Sequence, residues 1–327
     1  FGYWSLAIKT LSQNLIRVIL LYALSEFRPK LLYSIESFKE LFGFGIKLLV
    51  AGLIDTIYQN IYKLIIGRYF SSSELGYYSR AEQFKDLPSK NLNLTTQRVT
   101  YPVLANFTKD NSKLKAGYKK LIKLLFLITS VTMLLMIINA KEIIIILVGQ
   151  KWAPAVPYLQ ILCISGALYP LHSLNLSILN VKGRSDLFLK LEIIKKIIVI
   201  PVIIIGIHYG LIVMLWGMVF NSFFAYFLNS LFSAKLISYP SYEQLLDILP
   251  TFIHIAIMAV LAFAIGQVVP SNLFLSLILK TSIALGYLFT VGYLFKIPEF
   301  MELKDLIKEQ IHIHFGMLKL KKADAQS

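Results

Sequence analysis

The sequence predicts an all-α polytopic membrane protein, and two observations carry that prediction. Mainly apolar runs of about 20 residues, such as 121–140 and 211–231, recur along the chain and are separated by short connections that carry lysines. A helix of that length crosses the hydrocarbon of a bilayer, whereas a helix of a soluble domain needs only one apolar face. The composition agrees: 57% of residues are hydrophobic, mean hydropathy is +0.67, and 16% are charged against about 25% in soluble domains.

About nine transmembrane helices are expected along the chain. The predicted spans are residues 3–24, 41–66, 75–104, 121–140, 156–180, 187–207, 211–231, 248–269 and 273–295. The span 75–104 is the weakest of these because it contains six charged residues, and Pro88 predicts a kink in it. The apolar run 143–148 is too short to cross and predicts a helix end followed by a re-entry loop.

The charges of the connections predict the orientation. Cytoplasmic loops carry an excess of Lys and Arg. Connections rich in these residues, including the five lysines between 109 and 120, alternate with poor ones only if the span 75–104 crosses the membrane. This alternation predicts that Phe1 lies outside and the C-terminus lies in the cytoplasm. The tail 299–318 alternates apolar and charged residues at helical spacing, which fits either an amphipathic surface helix or a partly ordered segment.

The same sequence excludes several classes of function. The net charge of +15 suggests a nucleic-acid binder, but the lysines lie mostly between the apolar runs and do not cluster on one polar face. Cys163 is the only cysteine, so neither an intrachain disulfide nor a cysteine metal site is expected. Catalytic, nucleotide-binding and metal-binding motifs are lacking, and His172 and His254 are expected to form single hydrogen bonds. We therefore expect no enzyme activity, no cofactor and no nucleic-acid partner.

Polar and charged side chains inside the predicted spans are the candidate site residues. Such residues are costly in a membrane and usually face a wet cavity or a partner. Asp55, Gln59 and Lys63 lie at i, i+4 and i+8, which places them on one helix face, with Asn60 beside them. The third span contributes Arg80 and Arg98 together with Gln83 and Lys90 or Asn91, and the first span contributes Arg17.

Two interpretations of these charges are open. In the first, they line a hydrophilic cavity of net positive charge that suits an anionic substrate. In the second, they pair internally, Asp55 with Lys63 or Arg98, or extend to the lipid headgroups. For the sixth span we expect Glu192 to pair with either lysine one turn later, Lys195 or Lys196. Lys123 and Lys190 lie near span ends and are expected to reach the headgroups.

The stretch 41–109 contains the motifs that resemble a known family. They are Phe42-Gly43, Ile66-Gly67, Leu75-Gly76-Tyr77-Tyr78-Ser79-Arg80-Ala81, Leu87-Pro88, Arg98-Val99 and Pro102-Val103-Leu104, followed later by Gly149-Gln150-Lys151-Trp152, Ala155-Val156-Pro157 and Gly183-Arg184-Ser185-Asp186. Together they resemble the polysaccharide exporter branch, the Wzx-type flippases, of the bacterial superfamily that also contains the multidrug MATE exporters. The resemblance covers nearly the whole chain and becomes less specific after about residue 210.

The resemblance implies an architecture. Family members have fourteen spans, arranged as two six-helix lobes and two additional helices. Matched to that plan, residues 1–24 are the last helix of an incomplete N-terminal lobe and residues 38–235 are the six-helix C-terminal lobe. Residues 248–296 are then the two additional helices, and residues 297–327 are a cytoplasmic amphipathic tail.

The resemblance also implies a function. The substrate would be an undecaprenyl-diphosphate-linked oligosaccharide, flipped across the bacterial inner membrane for polysaccharide or lipopolysaccharide export. Membrane lipids and the polymerase machinery would be partners. The family motifs do not themselves assign the cavity residues. The polar residues inside the predicted spans are the candidates, namely Arg80, Arg98, Lys63, Asp55, Gln59, Asn60 and Arg17.

Two rival functions are weighed against it. A multidrug exporter of the same superfamily would prefer acidic cavity residues, whereas basic residues outnumber acidic ones in the second and third spans. A membrane glycan polymerase or ligase would carry a large outer loop, whereas every predicted outer loop here is short. We therefore expect a flippase.

Overall fold

A computed structural model describes residues 4–24, 34–36, 38–39, 42, 53, 56–105, 107, 110–266 and 272–305. The chain divides into two compact units, Phe1–Asn60 and Ile61–Ser327. In the first unit, helix α1 spans Trp4–Leu24, and residues 56–59 are also helical. Both units are all-α over these ranges, which confirms the predicted class.

The second unit contains nine helices over its described ranges. They are α2 (Ile61–Tyr69), α3 (Ser72–Ala105), α4 (Asn111–Ile138), α5 (Ala140–Val148), α6 (Val156–Val181), α7 (Ser185–Tyr209), α8 (Leu211–Ile237), α9 (Ser241–Gly266) and α10 (Leu273–Leu294), with a 3-10 helix (Gln150–Ala155) before α6. The short α5 and the 3-10 helix form the predicted helix end and re-entry at 143–157. Residues 298–305 form a further helical stretch.

Five of these segments are long and apolar enough to cross a membrane, judged over the described part of the chain. They are Asn111–Ile138, Gln150–Val181, Leu211–Ile237, Ser241–Gly266 and Leu273–Leu294. Helices α1, α3 and α7 match three further predicted spans, but α3 and α7 carry too many charges to qualify by composition alone. Half of the span 41–66 lies outside the described residues, so the count of nine remains a prediction.

Helix α4 begins at Asn111, well before the predicted start at 121. The carboxylate of Asp110 caps it by accepting hydrogen bonds from the backbone N–H groups of Ser112 and Lys113, at 3.0 and 3.1 Å. Such a cap satisfies N–H groups that have no partner within the helix. The lysines expected in a loop at 113–120 therefore lie on the first turns of a helix.

Helix α6 lies at the centre of the unit and packs against α3, α4 and α8. One apolar cluster includes Tyr78, Met133 and Leu162, and a second includes Tyr118 and Leu171. Both clusters use side chains from α6 and its neighbours, so this helix is buried on several sides. Its position makes α6 the support for α3, which carries most of the candidate site.

Helices α7 and α8 form a close hairpin. A Cβ added at Gly206 of α7 would lie 2.5 Å from the Cβ of Met214, and one at Gly217 of α8 would lie 2.5 Å from a methyl of Val202. Only glycine allows the two backbones to approach this closely. The outer face of α7 exposes Ile197 and other isoleucines, as expected for a surface in contact with lipid.

Helices α9 and α10 pack beside α4. A group of ion pairs, which we call the charged seam, joins the first half of α4 to α9 and to residues 298–305. Lys119 and Lys123 lie 2.8 and 3.3 Å from the carboxylate of Asp247 on α9, and Lys123 also lies 3.4 Å from Glu299. The expectation that Lys123 reaches the headgroups is therefore wrong, because it pairs within the protein. The start of the predicted tail, residues 298–305, packs on the unit through buried Phe300; the rest of the tail lies outside the described residues.

Candidate functional site

A charged cleft opens between α2 and α3, with a volume of about 500 Å³. Its lining is mostly polar and comes from one residue of α2 and seven of α3. The lining residues are Lys63, Ser79, Glu82, Gln83, Asp86, Leu87, Lys90 and Asn91. This concentration of charge on a helix predicted to cross the membrane makes the cleft the candidate functional site.

Three ion pairs organise the cleft. The ammonium of Lys63 lies 2.6 Å from Glu82, which also accepts a hydrogen bond from the hydroxyl of Tyr78 at 3.0 Å. Asp86 pairs with Lys85 at 2.5 Å and with Lys90 at 2.6 Å. The cleft thus combines the two interpretations of the sequence: its charges form pairs, and they also face an open, polar space.

The charge of the cleft differs from the expectation. Among its lining residues, Lys63 and Lys90 are balanced by Glu82 and Asp86, so the lining is formally neutral and not net positive. Each lysine nevertheless keeps hydrogen-bonding capacity, since an ammonium has three donors and a carboxylate partner uses only part of them. The lysines can therefore bind an anion or a sugar oxygen without losing their acidic partners.

The carboxylates of this cleft were not among the predicted site residues. Asp86 and Lys90 are four residues apart on one helix, and Glu82 precedes Asp86 by the same interval. That spacing is the sequence signal that indicates one charged helix face. The pairing of Lys63 with Glu82 could not be read in this way, because it depends on how α2 and α3 pack.

Arg80 lies beside the cleft and not in its wall. Its guanidinium is stacked over the indole of Trp152, 5.1 Å from the ring centre, and donates a hydrogen bond of 2.8 Å to Gln83. The ring of Tyr77 meets the same indole edge-on at 5.9 Å. Two family motifs far apart in the sequence therefore meet, and Arg80 helps to hold α3 against the 3-10 helix.

Arg98 lies on α3 beyond the cleft and is exposed. The exposed positions of this helix recur at helical spacing and include Gln83, Leu87, Lys90, Asn91, Leu94, Thr95 and Arg98. We call these seven residues the open face of α3. Lys90 exposes 65% of its side chain there. The open face thus carries the cleft's outer residues and Arg98 along one side of the helix.

The remaining predicted site residues belong to the first unit. Arg17 is exposed on α1, and Gln59 is exposed in the helical segment 56–59. Asn60 follows in a turn, with its side-chain amide donating to the carbonyl of Thr56 at 2.9 Å. Asp55 lies outside the described residues. The predicted stripe of Asp55, Gln59 and Lys63 therefore stays a prediction.

The structure also shows the contacts of three residues that the sequence singled out, His172, His254 and Glu192. His172 and His254 each contact one hydroxyl, that of Ser222 at 3.1 Å and that of Tyr287 at 3.2 Å. Groups of acidic, histidine and cysteine residues that could hold a metal ion are lacking within the described ranges. In α7, Glu192 pairs with Lys195, three residues on, which confirms the expected pair with a lysine one turn later.

The turn before α7, predicted to be cytoplasmic, contains a further motif. The guanidinium of Arg184 donates two hydrogen bonds of 2.8 Å to the carboxylate of Asp186. These bonds lower the pKa of that carboxyl to about 2. The pair therefore keeps its charges at physiological pH and gives this turn a fixed shape.

Comparisons with known proteins give the family context of this cleft. A family described as "Polysaccharide biosynthesis protein" matches residues 1–157, the part that includes α2, α3 and the cleft. Teichuronic acid biosynthesis protein TuaB of Bacillus subtilis is 31% identical over 162 residues, which are 50% of this chain and 34% of TuaB. Lipopolysaccharide biosynthesis protein WzxC of Escherichia coli is 28% identical over 180 residues, 55% of this chain and 37% of WzxC.

A third relative carries transport in its name. Succinoglycan biosynthesis transport protein ExoT of Rhizobium meliloti is 27% identical over 178 residues, which are 35% of its length. The matched region spans about a third of each of these relatives.

A solved structure extends the comparison to most of the fold. The Lipid II flippase MurJ, in an inward closed conformation, superimposes with a TM-score of 0.63 at 16% identity, over 82% of this chain and 57% of MurJ. At this identity the likeness shows the fold alone. Over about its first half the chain is similar in sequence to proteins named for polysaccharide and lipopolysaccharide biosynthesis, and over most of its length it is similar in fold to MurJ.

Proposed function

We propose that the second unit is one lobe of a flippase that moves undecaprenyl-diphosphate-linked oligosaccharides across the bacterial inner membrane. The lobe comprises α2 to α8, and α9 and α10 are the additional pair of helices. The C-terminus lies in the cytoplasm, as the alternating loop charges predict. The surface glycan made from the flipped unit is a polysaccharide or lipopolysaccharide, and the polymerase that extends it is a partner.

The open face of α3 is the observation that carries the proposal. A lysine or arginine at the centre of a membrane helix costs about 2.5–3.5 kcal/mol, so lipid is an unfavourable neighbour for Lys90 and Arg98. Water or a polar ligand is a favourable one. We infer that this face borders the translocation cavity, which a second lobe closes on its other side.

The chemistry of the face suits a lipid-linked saccharide. A diphosphate cannot cross hydrocarbon unaided, and its oxygens form strong charge-assisted hydrogen bonds with Lys and Arg. Carboxylates and amides, here Glu82, Asp86 and Asn91, accept or donate to sugar hydroxyls. The substrate is therefore held by Lys63, Lys90 and Arg98 at its phosphates and by the neighbouring polar groups at its sugars.

Alternating access would then release the substrate outside. In transporters built from two repeats, one lobe rocks against the other around a site near the membrane centre. Two lobes are required for this motion, so we expect a protein limited to these 327 residues to be inactive in transport.

The charge of the cleft does not separate this function from drug export. A multidrug exporter would hold a cation on Glu82 and Asp86, which are present in equal number to the lysines. The similarity to proteins named for teichuronic acid, lipopolysaccharide and succinoglycan synthesis favours the saccharide.

The test uses a two-lobe protein that contains these 327 residues, expressed in a strain that lacks its own polysaccharide flippase. Lys63→Ala and Arg98→Ala are compared with Lys113→Ala, which removes an exposed lysine of α4 away from the cleft. Membrane abundance, surface polysaccharide and the lipid-linked precursor are measured for each variant. We expect the cleft variants to lose surface polysaccharide and to accumulate precursor on the cytoplasmic side, while Lys113→Ala behaves as the parent.

Normal export in both cleft variants, at normal abundance, would contradict the assignment of the cavity. Failure of the parent protein itself to restore any polysaccharide, together with export of cationic dyes, would contradict the substrate class.

A further inference from the structure

A cluster of uncharged polar side chains lies inside the lobe, away from the cleft. We call it the buried polar cluster. Its members come from α4, α6, α8 and α9 and are Tyr118, Asn175, Tyr226, Asn229, Ser230, Ser233, Ser241 and Gln244, each at most 9% exposed. Tyr118, Ser233, Ser241 and Gln244 lie just outside the predicted spans, but all members are buried, so their polar atoms need partners other than bulk water.

Part of the cluster satisfies itself. Asn175 accepts hydrogen bonds from the hydroxyls of Tyr118, at 2.7 Å, and Ser233, at 2.6 Å. Ser230 donates to Ser241 at 3.0 Å. These bonds join α4, α6, α8 and α9, so the cluster fixes the way the four helices pack. In this half of the cluster, hydrogen bonds between side chains satisfy the buried polar atoms.

The other half has polar atoms without a partner among the described residues. Asn229 is fully buried, and neither its amide nitrogen nor its carbonyl oxygen is hydrogen-bonded. The carbonyl oxygen of Gln244 and the hydroxyl of Tyr226 are in the same situation. An unsatisfied buried polar group costs about 1–3 kcal/mol, and three residues in one cluster would be a large burden on a lobe of this size.

These atoms are close together. Tyr226, Asn229 and Ser230 are three or four residues apart on α8, and this spacing places them on one face of the helix. Gln244 follows Ser241 by three residues on α9, and Ser241 is bonded to Ser230. The unpartnered groups therefore surround one region between α8 and α9.

A cavity of about 490 Å³ lies beside this region, between α4, α6, α8 and α9. Tyr226 forms part of its wall, whereas Asn229 and Gln244 do not border it. Ser130, a further buried hydroxyl without a partner in the described chain, forms another part. The rest of the wall is apolar, so a bound polar molecule would be held at the wall that carries these hydroxyls.

We propose that the buried polar cluster binds ordered water molecules at Asn229, Gln244 and Tyr226, which form a hydrated core within the lobe. The unpartnered set contains donors and acceptors and no charged group, and water is the ligand that satisfies both kinds of atom. A buried water molecule typically makes about three hydrogen bonds to such groups. The inference goes beyond the proposed transport function and does not depend on which substrate is carried.

Radiolytic hydroxyl labelling of the full chain in lipid nanodiscs tests the proposal. Hydroxyl radicals formed from bound water label the side chains beside it, including buried ones. We expect Tyr226 to be labelled and Met258 to stay unlabelled. Met258 is a matched control because it is fully buried in a purely apolar cluster, although its thioether is more reactive. Protection of Tyr226 to the same degree as Met258 would overturn the proposal.

Two variants provide a second, independent measurement. Asn229→Leu removes the unpartnered amide at similar volume, and Phe227→Leu alters an exposed side chain on the same helix. If water satisfies Asn229, Asn229→Leu lowers the midpoint of thermal unfolding by about 2–4 °C and at least halves the labelling of Tyr226. If Asn229 has no partner, the apolar replacement leaves the midpoint unchanged or raises it, and the proposal is wrong.

Discussion

Two groups of lysine–carboxylate pairs lie in the same unit and differ in their access to solvent. Glu142 of α5 is 3% exposed and accepts hydrogen bonds of 2.6 Å from Lys280 and from Ser276, both on α10. Asp86 and Glu82 of α3 pair with lysines at similar distances, but they line an open cleft of about 500 Å³. Ion-pair geometry alone therefore does not distinguish the two groups.

The difference in exposure separates structure from function. The carboxylate of Glu142 is closed to solvent, although Lys280 borders a cavity of about 530 Å³, so removing Lys280 leaves a buried carboxylate without its cation. A pair in an open cleft can exchange its partner for a ligand at little cost, because solvent is already present. We therefore propose that Glu142 and Lys280 attach α10 and that the cleft pairs contact the substrate.

The largest expected effect follows from breaking the pair of Glu142 and Lys280. Lys280→Met leaves Glu142 charged and buried, which destabilises the unit by about 3–5 kcal/mol. The double variant Glu142→Met with Lys280→Met removes both charges and is expected to recover most of that loss. Thermal unfolding of the purified protein in detergent measures both. If Lys280→Met is as stable as the parent, the carboxylate of Glu142 is not closed to solvent.

The next effect concerns transport through the open cleft. Asp86→Asn removes a charge that positions Lys85 and Lys90. The loss of one charge-assisted contact, worth about 1.5–3 kcal/mol, lowers the export rate about tenfold or more. Surface polysaccharide is measured at matched membrane abundance. Full export, or a decrease explained entirely by lower abundance, would assign Asp86 a structural role like that of Glu142.

A smaller effect is expected where Arg80 is stacked on Trp152. Arg80→Lys keeps the positive charge but loses the planar guanidinium, so we expect a loss of about 0.5–1 kcal/mol in stability and nearly normal export. Trp152→Leu should give a similar or larger loss of stability. If Arg80→Lys abolishes export in a stable protein, Arg80 belongs to the cleft and not to its support.

The smallest effect belongs to the exposed pairs of the charged seam. Lys120 lies 2.5 Å from Glu302 but exposes 63% of its side chain. Lys120→Glu is expected to cost about 1 kcal/mol or less, and the exchanged pair Lys120→Glu with Glu302→Lys should restore the parent value. Unfolding midpoints at low and high salt check this. Failure of the exchange to restore stability at low salt would show that the two charges do not interact.

The sequence predicts what is local and misses what depends on packing. The apolar run at 211–231 is enough to place α8, observed at Leu211–Ile237, and the span 75–104 is close to the observed Ser72–Ala105. The pair of Asp86 and Lys90 follows from helical spacing. The pair of Glu142 and Lys280 spans 138 positions and depends on how α10 docks, so no periodicity indicates it.

The candidate site divides in the same way. Lys63 and Arg98 were expected from the cost of charge in a membrane, and the structure places them in the cleft and on the open face of α3. The stacking of Arg80 on Trp152 could not be predicted from the sequence, because it depends on how two separate segments pack. The neutral charge of the cleft could not be predicted either, because Lys63 and Glu82 lie on different helices.

Cysteine accessibility tests the central claim, that the open face of α3 borders an aqueous cavity. In the two-lobe protein of the transport test, with the buried Cys163 replaced by alanine, single cysteines are placed at Asn91 on this face and at Ile204 on the exposed, apolar side of α7. A water-soluble thiol reagent is applied to native membranes. We predict rapid reaction at Asn91→Cys and little at Ile204→Cys; equal protection of both positions would mean that lipid or protein covers the cleft and would contradict the account.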